Sequence, residues 1–220
     1  MITIENPTIH GFKEAIRGMR NPMNSWDKSD SYSTYIEDEQ TLETAEHEFF
    51  VGDEDLHLMK RLSNAGTDHR KYMRMITVFF DLTAPLYWWK EFDTYKVGTV
   101  ANSCSTMHKI QAKEFELDDF SHEHLMIHSK SVLLDTIDTL NFFRKRFLES
   151  NDKEHWWQMI QLLPSSYNQK RTVMLNYEVL SNIYHSRRNH KLDEWKQFCI
   201  WIETLPYSEL ITGGANVEAD

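Results

Sequence analysis

An α+β fold in which helices dominate follows from three features of the sequence. Apolar residues recur at helical spacing through most of the chain beyond residue 120, a few β-branched and aromatic runs read as strands, and no internal repeat, Gly-rich phosphate loop or long heptad register points elsewhere. With 220 residues, 40% of them hydrophobic, the chain can bury the core of one sizeable domain or two small ones.

The elements follow in order. "MITIENPTI" alternates apolar and polar residues and predicts a strand ending near Pro7. In "GFKEAIRGMR" Phe12, Ile16 and Met19 fall at helical spacing, and Asn21-Pro22 ends the pattern. The acidic, polar "NSWDKSDSYSTYIEDEQ" reads as a mobile surface segment. "DEDLHLMKRLSNAG" predicts a helix with acidic residues in its first turn and Gly66 as its stop. The β-branched and aromatic run "RMITVFFDLTAP", closed by Pro85, is a strand. A long helix is expected in "SHEHLMIHSKSVLLDTIDTLNFFRKRFLES" with Ser121 as its cap, and another in "DKEHWWQMIQLL" up to Pro164. "QKRTVMLNYEVLSNIYHSRR" and "KLDEWKQFCIWIETL" read as two more helices, and "ITGGANVEAD", residues 211–220, as a disordered tail.

A formal net charge of −10 argues against a protein that coats nucleic acid or an anionic membrane, so a bound phosphate must meet a local basic pocket. Cys104 and Cys199 lie far apart without metal-ligand spacing and read as free thiols. No apolar window spans a bilayer and no leader opens the chain, so a cytoplasmic protein is expected. His122, His124 and His128 lack the general-base Glu of an H-E-x-x-H motif and read as a surface cluster; no metal site is expected. The tryptophan pairs at 88–89 and 156–157 read as core or interface anchors.

Two stretches carry polar chemistry. "EFDTYKVGTVANSCSTMHKI", residues 91–110, follows an aromatic block with small, hydroxyl and amide groups and no proline; it reads as a loop lining a cleft. "HSRRNHK" is the densest positive patch. Arg187 there suits a phosphate or a uracil-type carbonyl, and the plainer alternative, which the sequence favours, is a basic helix end offsetting the dipole. On one helix Asn176, Asn182 and Arg187 would be separated by roughly 240° and then 140°, which no single face accommodates.

The order "FFDLTAPLYWWKEF", the small-polar run, then "LPSSYNQKRTVMLNYEVLSNIYHSR" resembles the flavin-dependent thymidylate synthase (ThyX) family. That family's pattern runs roughly F-x-I-x-A-P-x-x-V-x-x-Q-x-x-R-H-R-x-x-S-x-N-x-x-S-x-R-Y, then L-P, an Asn twelve residues on and an Arg eleven further. From Leu163-Pro164 the second half fits without gaps through Asn176, Asn182 and Arg187, and "AGTDHRKYMRMITVFFDLTAP" resembles G-H-x-x-P-F-E-H-x-x-F-x-F with His69 at the flavin-side histidine. The resemblance covers roughly residues 55 to 205. It implies a helix-rich ThyX-like fold with a small mainly antiparallel sheet, a single domain over residues 1–210, and a homotetramer whose subunit contacts build the site. It further implies FAD as cofactor, with NADPH and methylenetetrahydrofolate as co-substrates for methylating C5 of dUMP or a related pyrimidine nucleotide in dTMP synthesis. His69, Tyr95, Lys96, Asn176 and Asn182 would contact the flavin, and Glu91, Thr99, Asn102, Ser105 and Arg187 the nucleotide. No catalytic side chain is implied, because that chemistry uses no protein nucleophile.

The chain departs from the pattern at Q-x-x-R-H-R, where Glu91, Thr94, Tyr95 and Lys96 stand and only Lys96 is positive. Arg74-Met75 replaces Glu-His, and Glu178 replaces the arginine two residues after Asn176. Each guanidinium removed takes away a charge-assisted bond of about 1.5–3 kcal/mol. Three readings result: a divergent ThyX-like flavoenzyme, a ThyX-fold nucleotide-binding or structural protein that has lost catalysis, and an acidic helical interaction module.

Overall fold

The computed structural model describes residues 1–36 and 46–213, and the chain divides into two compact units. The first comprises residues 1–7, 80–96 and 100–173; the second comprises residues 8–79, 97–99 and 174–220. The fold is α+β, helix-rich with a small antiparallel sheet, as the sequence predicts.

In the first unit, residues of β1 (Thr3–His10), β4 (Thr77–Pro85), β6 (Asn168–Asn176) and β5 (Val100–Ser103) form a four-stranded sheet in the order β1-β4-β6-β5. Side chains tie its strands: Asp81 accepts from Thr172 Oγ1 at 2.6 Å and from Asn6 Nδ2 at 3.1 Å. The short helix α3 (Leu86–Phe92) buries Trp88, Trp89 and Phe92, so the first tryptophan pair is core. The long helix α4 (Ile127–Ser150) and α5 (Lys153–Leu162) pack together, and Leu133, Ile137 and Leu140 meet Met159, Phe115 and Phe120. Asp152 caps α5 through the Glu154 amide.

The start expected for α4 is corrected. Its N-cap is Met126, while the Ser121 hydroxyl donates to Glu123, and Phe120 bridges to Tyr167. A side chain that bonds locally can hold extended backbone as readily as it caps a helix.

In the second unit α1 (Phe12–Arg20), α2 (Asp53–Asn64) and α6 (Tyr177–Arg187) pack against a 3₁₀ helix at Arg70–Met75, and α7 (Asp193–Glu203) and α8 (Glu209–Thr212) pack on α6. Its core includes Ala15, Met59, Met73, Leu180, Trp195 and Ile202, all fully buried. The segment predicted to be mobile is instead built in. Tyr32–Ile36 forms β2, paired antiparallel with β3 (Glu46–Phe50) with Tyr32 opposite Phe50, and residues 37–40 lie outside the described residues. Asp30 accepts from the Glu54 and Asp55 amides at 2.9 and 3.0 Å, capping the start of α2 from a distance. Asp55 is fully buried and accepts from Arg20 Nε and the Ser29 and Ser31 hydroxyls, each at 2.6 Å. Burial opposes its charge, but these three partners outweigh it and hold the carboxyl below its ordinary range.

Two further expectations are corrected here. The helix expected from Gln169 onward is β6 followed by α6, and Asn176 is the N-cap between them. The tail expected from residue 211 is corrected at its first residues, since Ile211 is fully buried in α8; residues 214–220 lie outside the described residues. Among the described residues no helix is long and apolar enough to cross a membrane, and no three metal-ligating side chains gather.

Candidate functional site

Within the second unit α1, α2 and the 3₁₀ helix enclose a cleft of about 1120 Å³. Helical periodicity selects the side chains that α2 offers: His57, Leu58, Arg61 and Leu62 share one face. The 3₁₀ segment adds His69, Lys71, Tyr72 and Arg74, and Lys28 follows from the turn after α1. Against these cations stand Glu54 and Asp68. The cleft is thus a local excess of positive charge in a chain of net charge −10, which attracts an anionic ligand. Its floor is rigid: the Tyr72 hydroxyl donates to Met59 O at 2.9 Å, and burial raises its pKa, so it stays a neutral donor.

Beside the cleft, Glu178 at the start of α6 grips Arg74 through Nε and Nη2, and Arg70 Nε lies 3.7 Å from the same carboxylate. Arg70 Nη2 donates to Asn182 Oδ1 at 3.1 Å. Further along α6, burial, then Arg188 and Arg70, hold the His185 imidazole below its ordinary pKa. At the N-terminus of α6, Asn176 Oδ1 accepts from the Val179 amide at 3.0 Å. Gly98, with φ +77°, runs against this cap: a Cβ there would lie 2.9 Å from Asn176 Nδ2. The neighbouring Thr99 Oγ1 is buried without a hydrogen-bond partner among the described residues.

In the first unit the polar stretch is fastened to β6 at Asp93 and at Cys104. Arg171 donates to Asp93 at 2.7 Å and stacks 4.2 Å over Trp89, while Gln169 Nε2 donates to Cys104 O at 2.8 Å. What reads in sequence as a loop contains β5, with Asn102 exposed on it and Ser105 Oγ accepting from the His108 amide at 3.0 Å.

No protein-family profile matches the chain, and no curated protein matches it in sequence. Solved structures match it in fold. The chain is similar to flavin-dependent thymidylate synthase ThyX from Helicobacter pylori, solved with FAD and dUMP, in two structures at TM-scores 0.67 and 0.68, with 16% and 17% identity. The alignments cover 97% of this chain and 98–99% of those. It is also similar to PolB from Streptomyces cacaoi, a UMP/dUMP methylase bound with 5-bromo-dUMP, at TM-score 0.62 and 14% identity over 97% of this chain and 95% of that one. The chain has the ThyX fold.

On that fold the predicted residues separate into groups. His69 is exposed on the cleft wall. Asn182 joins the cleft's Arg74 through Arg70 and Glu178. Asn176 and Thr99 come together through Gly98. Arg187 stacks 4.9 Å over Trp195 on α7. Glu91, Tyr95, Lys96, Asn102 and Ser105 belong to the first unit. Asn176 caps α6 rather than riding on it, while Asn182 and Arg187 remain on α6 about 140° apart, one turned to Arg70 and the other to Trp195.

Two departures from the ThyX pattern turn out to be one. Arg74 stands where the pattern has Glu, Glu178 stands where it has Arg, and here the two form a two-pronged ion pair. Both signs are inverted together, so neither charge is stranded. Sequence reasoning missed His57, Arg61, Lys71 and Lys28. The i, i+4 pair His57/Arg61 and the run His69-Arg70-Lys71 were the available signals.

Proposed function

We propose that this chain is a flavin-dependent protein of ThyX type that acts on a pyrimidine nucleotide, methylating C5 of dUMP or a related nucleotide from methylenetetrahydrofolate with NADPH as reductant. The observation that carries this reading is the basic cleft bordered by His69 in a chain with the ThyX fold. The donor set fits FAD: about 1120 Å³ exceeds what a mononucleotide needs, and Arg61, Lys71 and Lys28 match a diphosphate.

A bound reduced flavin supplies the hydride and the one-carbon relay in such chemistry. The chain's own part is to bind and orient. Lys71 and Arg61 hold the diphosphate, the His69 imidazole offers a ring hydrogen bond, and Glu178 fixes the Arg74 guanidinium so that its remaining N–H groups stay available. Tyr95, Lys96, Asn176 and Asn182 are assigned to the flavin as well. Glu91, Thr99, Asn102, Ser105 and Arg187 are assigned to the nucleotide; the unpartnered Thr99 hydroxyl is the kind of group a ligand satisfies. A homotetramer in a cytoplasmic setting completes the reading.

Protein incubated with FAD, NADPH, methylenetetrahydrofolate and dUMP should form dTMP. A second reading, nucleotide binding without catalysis, is favoured by Lys96 as the single cation in the Q-x-x-R-H-R register and by the amide oxygens of Asn176 and Asn182 being engaged within the protein. Saturable FAD and dUMP binding without dTMP would select it.

A further inference from the structure

A neighbouring face of α1, sharing only Arg20 with the cleft, lines a second pocket of about 340 Å³. Its walls are Lys13, Ile16 and Arg17 of α1, Trp26 of the following turn, and Tyr32 and Phe49 of the β2–β3 hairpin. Two aromatic rings in it are held and yet half open. Trp26 donates its indole N–H to Asn21 Oδ1 at 2.8 Å and remains 50% exposed. Tyr32 stacks on Phe50, with ring centroids 5.4 Å apart, and remains 59% exposed. Rings fixed before a ligand arrives lose little freedom on stacking.

The polar groups beneath are already committed. Arg20, 5% exposed, and the Ser29 and Ser31 hydroxyls all converge on Asp55, so the base of the pocket is rigid and internally satisfied. The charges left to face a ligand are Lys13 and Arg17. They are one helical turn apart, exposed, and make no ion pair among the described residues, although the chain carries 34 acidic side chains against 24 basic ones. At i, i+4 their heads reach one anionic group together.

We propose that this pocket is a separate site for a planar aromatic ring bearing a phosphate, the ring lying on Trp26 and Tyr32 and the phosphate between Lys13 and Arg17. Its volume is at the low end for a ligand pocket and suits one ring with one phosphate, not a dinucleotide. It is independent of the flavin reading.

Phenyl phosphate titrated into the full chain, followed calorimetrically, tests it, with phenol and inorganic phosphate as the ring and the anion alone. Phenyl phosphate should bind more tightly than either, and Trp26→Ala and the Lys13→Ala/Arg17→Ala pair should each weaken it by about fivefold or more while melting like the parent protein. Lys71→Ala, in the cleft, should leave it unchanged. No binding up to about 10 mM, equal affinity for inorganic phosphate, or sensitivity to Lys71→Ala but not to the α1 pair would each overturn the proposal. FAD titration of the α1 pair variant should match the parent, so the two readings fail separately.

Discussion

Replacing Asn176 separates what this residue does for the fold from what it offers a ligand. Its Oδ1 accepts the Val179 amide hydrogen at 3.0 Å, and both residues are buried, at 9% and 7% exposure. Asn176→Ala removes the cap and strands that amide away from water, a loss of about 2 kcal/mol. For a chain of this size that lowers the melting temperature by about 4–8 °C. Asn176→Asp keeps an acceptor oxygen in the same place and puts a negative charge at a helix N-terminus, where it is favoured, so its melting temperature should stay within about 2 °C of the parent. Asp lacks the amide donor, the one polar group of Asn176 not engaged by Val179. FAD affinity of this variant should therefore fall by about three- to tenfold, the equivalent of one neutral hydrogen bond. Thermal melts with FAD titration on both variants decide the matter. An Asn176→Ala protein that melts like the parent, or an Asp variant as unstable as Ala, would refute the capping argument.

Three further outcomes follow from the same geometry. Asp55→Asn leaves Arg20 buried beside a neutral partner and should destabilise by about 3 kcal/mol or more at neutral pH by chemical denaturation. Because the folded-state pKa of Asp55 is lowered, its contribution is complete above the unfolded value near 3.8 and is lost as pH falls through the folded value; the gap between parent and variant should close in that acid range. Gly98→Ala forces a side chain into a left-handed backbone, 2.9 Å from Asn176 Nδ2 and 3.2 Å from Val179 Cγ2, and should cost at least about 1–2 kcal/mol in the same assay. Of the two thiols, exposed Cys104 should react with a disulfide reagent in the native protein, whereas Cys199, buried and pushed up to about 11, should react only after unfolding.

Elements whose local signals agree were legible in the sequence. β4 combines β-branched and aromatic residues with a closing proline, and α2, α5 and α7 carry acidic first turns. The misread elements are those settled by distant partners. Gln169, Val173 and Leu175 are buried in alternation along β6, a period of two that merges into the helical spacing of α6, and only the cap at Asn176 marks the switch. β2 looked mobile because its composition is polar; what orders that region is its pairing with β3 and the anchoring of Ser29, Asp30 and Ser31 on α2. His69 was marked as a candidate by the ThyX pattern, and it lies on the cleft wall. The cations around it were not, because Lys28, Arg61 and Lys71 come together only when α1, α2 and the 3₁₀ helix pack. The Arg74–Glu178 exchange was visible as two separate departures, and only the folded chain pairs them.

We propose that the basic cleft bordered by His69 takes a flavin dinucleotide. Quenching of FAD fluorescence on titration with the purified chain tests it most directly. Saturable binding of one FAD per chain is expected, weakened about tenfold or more by Lys71→Ala through loss of a charge-assisted phosphate contact. No quenching at concentrations up to about 100 μM, or binding indifferent to Lys71→Ala and Arg61→Ala together, would contradict it.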